Sequence, residues 1–228
     1  MAEERRVVIV GGHGKVALLA APRLVREGFA VDSFIRNPEH AKDVTAVGAN
    51  PIQLDVEQTG TQALAEAFAG ADAVVFSAGA GGGNPERTHA VDYEAAIRTM
   101  EAAKQAGVKR YVMVSYSRSA VDLDSLSPQD SFYPYAKAKH DADEYLRATS
   151  LDYTILGPGM LTLNPATSKL TLVDSQGRVA GKQPSGSESE TARENVAEVI
   201  AYVLAHDSAI RQTVNFFDGQ TPIRKIFS

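Results

Sequence analysis

Residues 7–17 read VVIVGGHGKVA: an unbroken apolar run that stops at Gly11, passes Gly14 and Ala17, and continues into an apolar helical pattern. A strand followed by a glycine turn and a helix lets backbone amides approach an anion. The free N–H groups and dipole at the helix start then favour negative charge there. The loop and first helical turn, Gly11, Gly12, His13, Gly14, Lys15 and Val16, are therefore the candidate contacts for a pyrophosphate. A tight βα turn without a ligand would look similar, so the reading depends on the rest of the chain.

Outward from this stretch, short β-rich runs alternate with longer alanine-rich helical patterns. Strands are predicted at 6–10, 30–35, 51–56, 71–79, 110–115 and 152–156, with helices at 15–27, 38–46, 61–69, 85–106 and 134–149 between them. The runs 7–10, 73–76 and 111–114 are continuously apolar, as parallel strands covered on both faces require. The fold class is α/β, a doubly wound parallel sheet, with the first and fourth strands side by side where ligands bind. After residue 157 the pattern changes. Residues 169–181 read as two short strands around DSQGR, 182–190 as a polar loop, 191–206 as an amphipathic helix and 213–219 as a last strand. We read 1–228 as a single domain, with a dinucleotide-binding core at 1–157 and a small substrate-side C-terminal lobe at 158–228.

The 228 residues carry a formal net charge of −5, which disfavours nucleic acid or a polybasic membrane role. No stretch approaches the roughly 20 apolar residues of a membrane span. MAEERRVVIVGG is charged and enters a strand directly, so no signal peptide is expected. With no cysteine, thiol nucleophiles, disulfides and iron–sulfur clusters are excluded. The five histidines are scattered without metal-ligand spacing, and no metal is expected. A cytoplasmic location and a small-molecule substrate fit these features, and monomer and homodimer both stay open.

Residues 133–140, YPYAKAKH, hold two tyrosine–lysine pairs at i, i+4. Pro134 suits the start of a helix and pushes the preceding residue away from helical geometry, which places Tyr133 outside. At about 100° per residue, Tyr135, Ala138, Lys139, Ala142, Tyr145, Leu146 and Thr149 share one face. Lys137 falls on the opposite face with Asp141, so Tyr135 and Lys139 are the candidate pair. The end of the second strand reads Ile35-Arg36-Asn37, without the carboxylate that selects the ribose 2′-hydroxyl of NAD. Arg36 can instead pair with a 2′-phosphate, so NADP is expected over NAD.

The spacing G-x-x-G-x-x-A, together with FIRNPE (34–39), LDV (54–56), AGVKRYVMVS (106–115), YAKAKHDADEYLRATSLDYTILGPG (135–159) and ENVAEVIA (194–201), resembles the atypical, NmrA-like branch of the short-chain dehydrogenase/reductase superfamily. The likeness covers nearly the whole chain and implies an NAD(P)-binding Rossmann fold and oxidoreductase activity. It implies that Tyr135 is a proton donor or acceptor, that Lys139 binds the nicotinamide ribose and lowers the tyrosine pKa, and that a serine after the fifth strand completes the set. Ser117 matches best, with Ser115 in reserve. It places Asp55 and Val56 against the adenine, and Ser77, Ala78 and Gly79 along the adenine–ribose cleft. GAGGG (79–83) is then a pliable backbone beside the cofactor, and Pro158, Gly159 and Met160 run beside the nicotinamide, with Met160 and Leu161 as pocket walls. One departure stands out: relatives carry an arginine before this PG, and the chain has Gly157. An NADP-responsive regulator without catalysis and a nucleotide-sugar-type epimerase or dehydratase are the alternatives.

Overall fold

The computed structural model describes residues 5–81, 84–120 and 122–227. Its elements are β1 (Arg5–Val10), α1 (Lys15–Arg26), β2 (Phe29–Ile35), α2 (Ala41–Ala46), β3 (Asn50–Gln53), α3 (Thr61–Phe68), β4 (Ala73–Phe76), α4 (Pro85–Thr88), α5 (Ala96–Gln105) and β5 (Arg110–Val114). They continue with α6 (Tyr133–Ala148), β6 (Asp152–Pro158), β7 (Met160–Thr162), β8 (Lys169–Leu172), β9 (Glu190–Ala192), α7 (Arg193–Ala205), β10 (Gln212–Asp218), β11 (Thr221–Pro222) and α8 (Ile223–Ile226).

Among the described residues, nine strands form one sheet in the order β11-β8-β10-β6-β5-β4-β1-β2-β3. From β3 to β10 every pairing is parallel, and β1 lies against β4 as the doubly wound pattern predicts. Successive side chains of a strand point to opposite faces. Val7 and Ile9 of β1 accordingly enter a core with Ala17, Leu24, Val196 and Ile200 of α1 and α7. Val8 and Val10 enter a second core with Leu64, Phe68, Met100 and Leu146 of α3, α5 and α6. This double burial is why β1, β4 and β5 read as continuous apolar runs.

Four expectations are revised. The segment 169–181 does not form a two-stranded hairpin. β8 pairs antiparallel with β10 and β11, and Val179 makes only an isolated bridge to Lys182. Strand β3 ends at Gln53 because the Asp55 carboxylate accepts the Glu57 amide at 3.0 Å, a side-chain turn that competes with the ladder. The helix at 85–106 is interrupted by a π-helical stretch, His89–Ala95, which turns Asp92 inward. Tyr133 is the first residue of α6, not outside it. The Asp130 carbonyl accepts its amide at 3.0 Å, and Pro134 in the first helical turn needs no N–H partner.

Candidate functional site

The glycine loop lies at the C-terminal end of β1, between β4 and β2. Gly11 has φ +82°, and a Cβ there would stand 2.6 Å from Ala78 Cα, so only glycine serves. Gly14 is the residue preceding α1, whose first amides have no intrahelical partner. A cavity of about 1080 Å³ opens beside Gly14, Lys15, Val16, Ser77, Ala78 and Gly79 and extends to Tyr135, Lys139 and Ser115. A second, of about 420 Å³, contains Gly11, His13, Gly14, Arg36, Asp55 and Val56 and shares Ser77, Ala78 and Gly79 with the first. A phosphate cradle between two contiguous cavities fits an extended dinucleotide, with its adenosine end on the Arg36 side.

Within the larger cavity the helical register brings Tyr135 and Lys139 inward. Lys137 is exposed and donates to Asp141 at 2.7 Å, on the outer face as its register predicts. Lys139 is buried. Its ammonium donates to the Val114 carbonyl at 2.8 Å, stands 3.9 Å from Asp92 Oδ1 and lies over the Phe76 ring. The Tyr135 ring packs 5.5 Å from both Tyr116 and Phe132, and its hydroxyl has no hydrogen-bond partner among the described residues. Burial drives the Tyr135 pKa well above the ordinary phenol value, and the carboxylates of Asp92 and Asp143 push the same way. The net direction is upward, opposite to the lowering by Lys139 that the family resemblance implies. In the structure the lysine charge is spent on the sheet carbonyl and on Asp92.

Of the two serines, Ser115 is on the cavity wall and Ser117 is not. Ser117 is buried, and its amide donates to the Pro158 carbonyl at 2.9 Å. Ser115 Oγ donates to Asp143 Oδ2 at 2.6 Å. Asp143 is fully buried one helical turn beyond Lys139, and desolvation raises its pKa against the opposing pull of Lys139 and Ser115.

Other expected contacts are placed elsewhere. Gly12 faces Ser33 of β2 and donates to the Phe34 carbonyl at 2.8 Å, so it fits strand to loop rather than lining a cavity. Pro158 is buried in the sheet beside Phe216, and Gly159 packs against Ser189 and Phe217. Met160 is 62% exposed, whereas Leu161, its neighbour in β7, does line the cavity. Strand alternation separates the two. Gly157 is explained sterically: a Cβ there would collide with the Asn215 side chain and approach the Tyr116 carbonyl at 3.1 Å. Gly82 and Gly83 of GAGGG, and residues 1–4, lie outside the described residues.

The sequence reading missed Asp92, Asp143, Arg193 and Glu57. Asp92 sits among Val91, Ala95 and Ala96, and an acid among apolar helix positions was the signal available. Asp143 follows Lys139 at i+4, but Tyr145 was placed on that inward face and is in fact exposed, donating to Glu101 at 2.7 Å. Arg193, on the cavity wall, donates to the Leu161 carbonyl at 2.9 Å. Glu57 reaches Arg36 at 3.1 Å, so a carboxylate does stand beside that arginine, though not at the end of β2.

Comparison with known proteins agrees with this geometry. Residues 11–207 match the family described as NAD(P)H-binding. The chain is 35% identical over 228 residues to UPF0659 protein YMR090W of Saccharomyces cerevisiae, covering 96% of each chain. A solved structure from Bacillus halodurans, provisionally described as an NAD-dependent epimerase/dehydratase, superposes with a TM-score of 0.84 at 33% identity, covering 97% of this chain and 98% of the other. The oxidoreductase ylbE from Lactococcus lactis superposes at 0.79 with 27% identity, covering 96% and 94%. No helix among the described residues is long and apolar enough to cross a membrane. With a matching family model over most of its length, a glycine cradle and the Rossmann topology, the chain belongs to the NAD(P)H-binding family.

Proposed function

We propose that this protein is an NADP-dependent oxidoreductase that reduces a small carbonyl-type substrate. The observation that carries the reading is the placement of the Tyr135 side chain on the wall of the cavity that begins at the glycine loop, its hydroxyl without a hydrogen-bond partner among the described residues. Gly11, Gly14, Lys15 and the first turn of α1 would hold the pyrophosphate, and Arg36 the 2′-phosphate. A dihydronicotinamide bound there supplies the hydride.

The protein's own part is the proton. A phenol pushed above its ordinary pKa stays protonated throughout the neutral range, which suits donation to the oxygen of a carbonyl being reduced. Lys139, held by the Val114 carbonyl and beside Asp92, lies on the same cavity wall as Tyr135. Ser115 has its proton directed to Asp143, so it presents oxygen lone pairs to a substrate hydroxyl or amide. Leu161 and Phe132 supply apolar wall.

The name given to the Bacillus halodurans relative favours a second reading, epimerisation or dehydration at the same tyrosine. That chemistry would use Tyr135 as a base, whereas carbonyl reduction uses it as an acid.

The reading is tested by calorimetric titration of NADPH into wild type and Gly14→Val, followed by a screen of small aldehydes and ketones for NADPH oxidation. Gly14 has φ −62°, which valine can adopt, while its Cβ would stand 3.1 Å from the Gly11 carbonyl in the phosphate loop. Binding should be lost in a folded variant. Binding by both proteins alike would move the cofactor off this loop.

A further inference from the structure

We propose that Glu57 governs the choice between the two nicotinamide dinucleotides by competing with the 2′-phosphate for Arg36 and Arg87. The inference rests on the cofactor reading above and names a residue that sets its specificity. In the smaller cavity Arg36 is 56% and Arg87 39% exposed by side chain, while Glu57 is 19% exposed between them. Arg36 Nη1 donates to Glu57 Oε1 at 3.1 Å, and Arg87 donates to the same oxygen from Nε at 3.3 Å and Nη2 at 3.2 Å. The other oxygen, Oε2, accepts nothing from the described residues.

Glu57 is held in place by its backbone. Its amide donates to Asp55 Oδ1 at 3.0 Å, and Arg98 Nη2 donates to the carbonyls of Val56 at 2.9 Å and Glu57 at 3.1 Å. Arg87 is anchored in turn, donating to the Ala80 carbonyl at 3.0 Å. Arg36, the most exposed of the three, is the partner that can swing. The remaining charged groups at this corner are Asp55, engaged in its own turn, and His13 and His40, whose rings stack 3.6 Å apart with His13 Nε2 on Asp43 at 2.8 Å.

Two consequences follow from charge. A 2′-phosphate needs the guanidinium donors that Glu57 occupies, and it meets a fixed carboxylate nearby, so NADP binding is weakened by repulsion and competition. A 2′-hydroxyl needs only an acceptor, and Oε2 is one. The sequence pattern of a basic residue after β2 thus overstates the margin by which NADP is preferred over NAD.

The test is calorimetric titration of NADPH and NADH into wild type, Glu57→Gln and Arg87→Gln. Glutamine keeps the size of Glu57 and removes its charge. The ratio of NADPH to NADH affinity should rise about tenfold in Glu57→Gln, chiefly through tighter NADPH binding. In Arg87→Gln it should fall, because Glu57 then rests on Arg36 alone. An unchanged or reduced ratio in a Glu57→Gln protein that still binds NADH overturns the inference and leaves the cofactor reading standing. Loss of both affinities in that variant assigns Glu57 to the fold and also overturns it. Failure of wild type to bind either dinucleotide overturns the cofactor reading, and the inference with it.

Discussion

The ammonium of Lys139 stands 3.9 Å from the carboxylate of Asp92, two buried charges brought together across α6 and a π-helical turn. The pair occupies the lysine one turn from Tyr135, while Asp92 also acts on the phenol, pushing its pKa up together with burial.

If Tyr135 donates the proton, Tyr135→Phe should cut turnover by about 10²–10⁴-fold with little change in NADPH affinity. Lys139→Ala should weaken both turnover and binding, since it leaves Asp92 buried without its counter-charge. Tyr133→Phe and Lys137→Ala are the controls, because both lie on the outer face, where Lys137 pairs with Asp141. Steady-state kinetics on any reducible substrate decides. Active Tyr135→Phe beside inactive controls would reverse the register assignment.

Asp92 is the leading charge, after burial itself, in raising the Tyr135 pKa. Asp92→Asn should therefore let Tyr135 ionise at lower pH than in wild type, though still above the ordinary phenol value. Alkaline difference spectroscopy, with Tyr135→Phe to identify the transition, measures the change. An unmoved transition would mean that Asp92 does not contribute to the value.

Tyr111 is fully buried beneath the sheet, its hydroxyl 2.8 Å from Thr99 Oγ, and desolvation raises its pKa strongly. Burial pushes Tyr116 up to about 12. A phenol whose folded pKa exceeds its unfolded value contributes stability that is complete below about pH 10 and is lost as pH rises beyond it. Stability should fall above that pH by up to about 1.4 kcal/mol per pH unit for each such phenol. Tyr111→Phe should flatten the fall while costing about 1 kcal/mol at neutral pH. Urea midpoints across the alkaline range test both statements.

Gly157→Arg should destabilise this protein by about 3 kcal/mol, since the Asn215 side chain fills the space. Asn215 Oδ1 makes no hydrogen bond within the described residues, so Asn215→Ala alone should be nearly neutral. Combined with Gly157→Arg it should recover part of the loss, a coupling expected of residues in contact. Denaturant midpoints of the four proteins form the cycle. Strict additivity would show that the two sites do not share this space.

Local chemistry made much of the protein legible in its sequence. Continuous apolar runs identified the strands buried on both faces, and glycines marked the βα turn whose backbone has no room for a side chain. The 3.6-residue period separated Lys139 from Lys137, because a helix presents faces whatever it packs against. The helical start at Tyr133 was misjudged because the Asp130 carbonyl, three residues back, captures the Tyr133 amide.

What depended on contacts between distant segments could not be read in this way. Ser115 rather than Ser117 reaches the cavity because of where β5 ends against β6, whose Pro158 carbonyl holds the Ser117 amide. Glu57 meets Arg36 across 21 residues of chain, and Asp92 meets Lys139 only because α6 packs on the π-helical stretch. A charge's pKa and its partner are properties of the space around it. Sequence spacing sets that space within one helix or turn, and between elements only tertiary packing does.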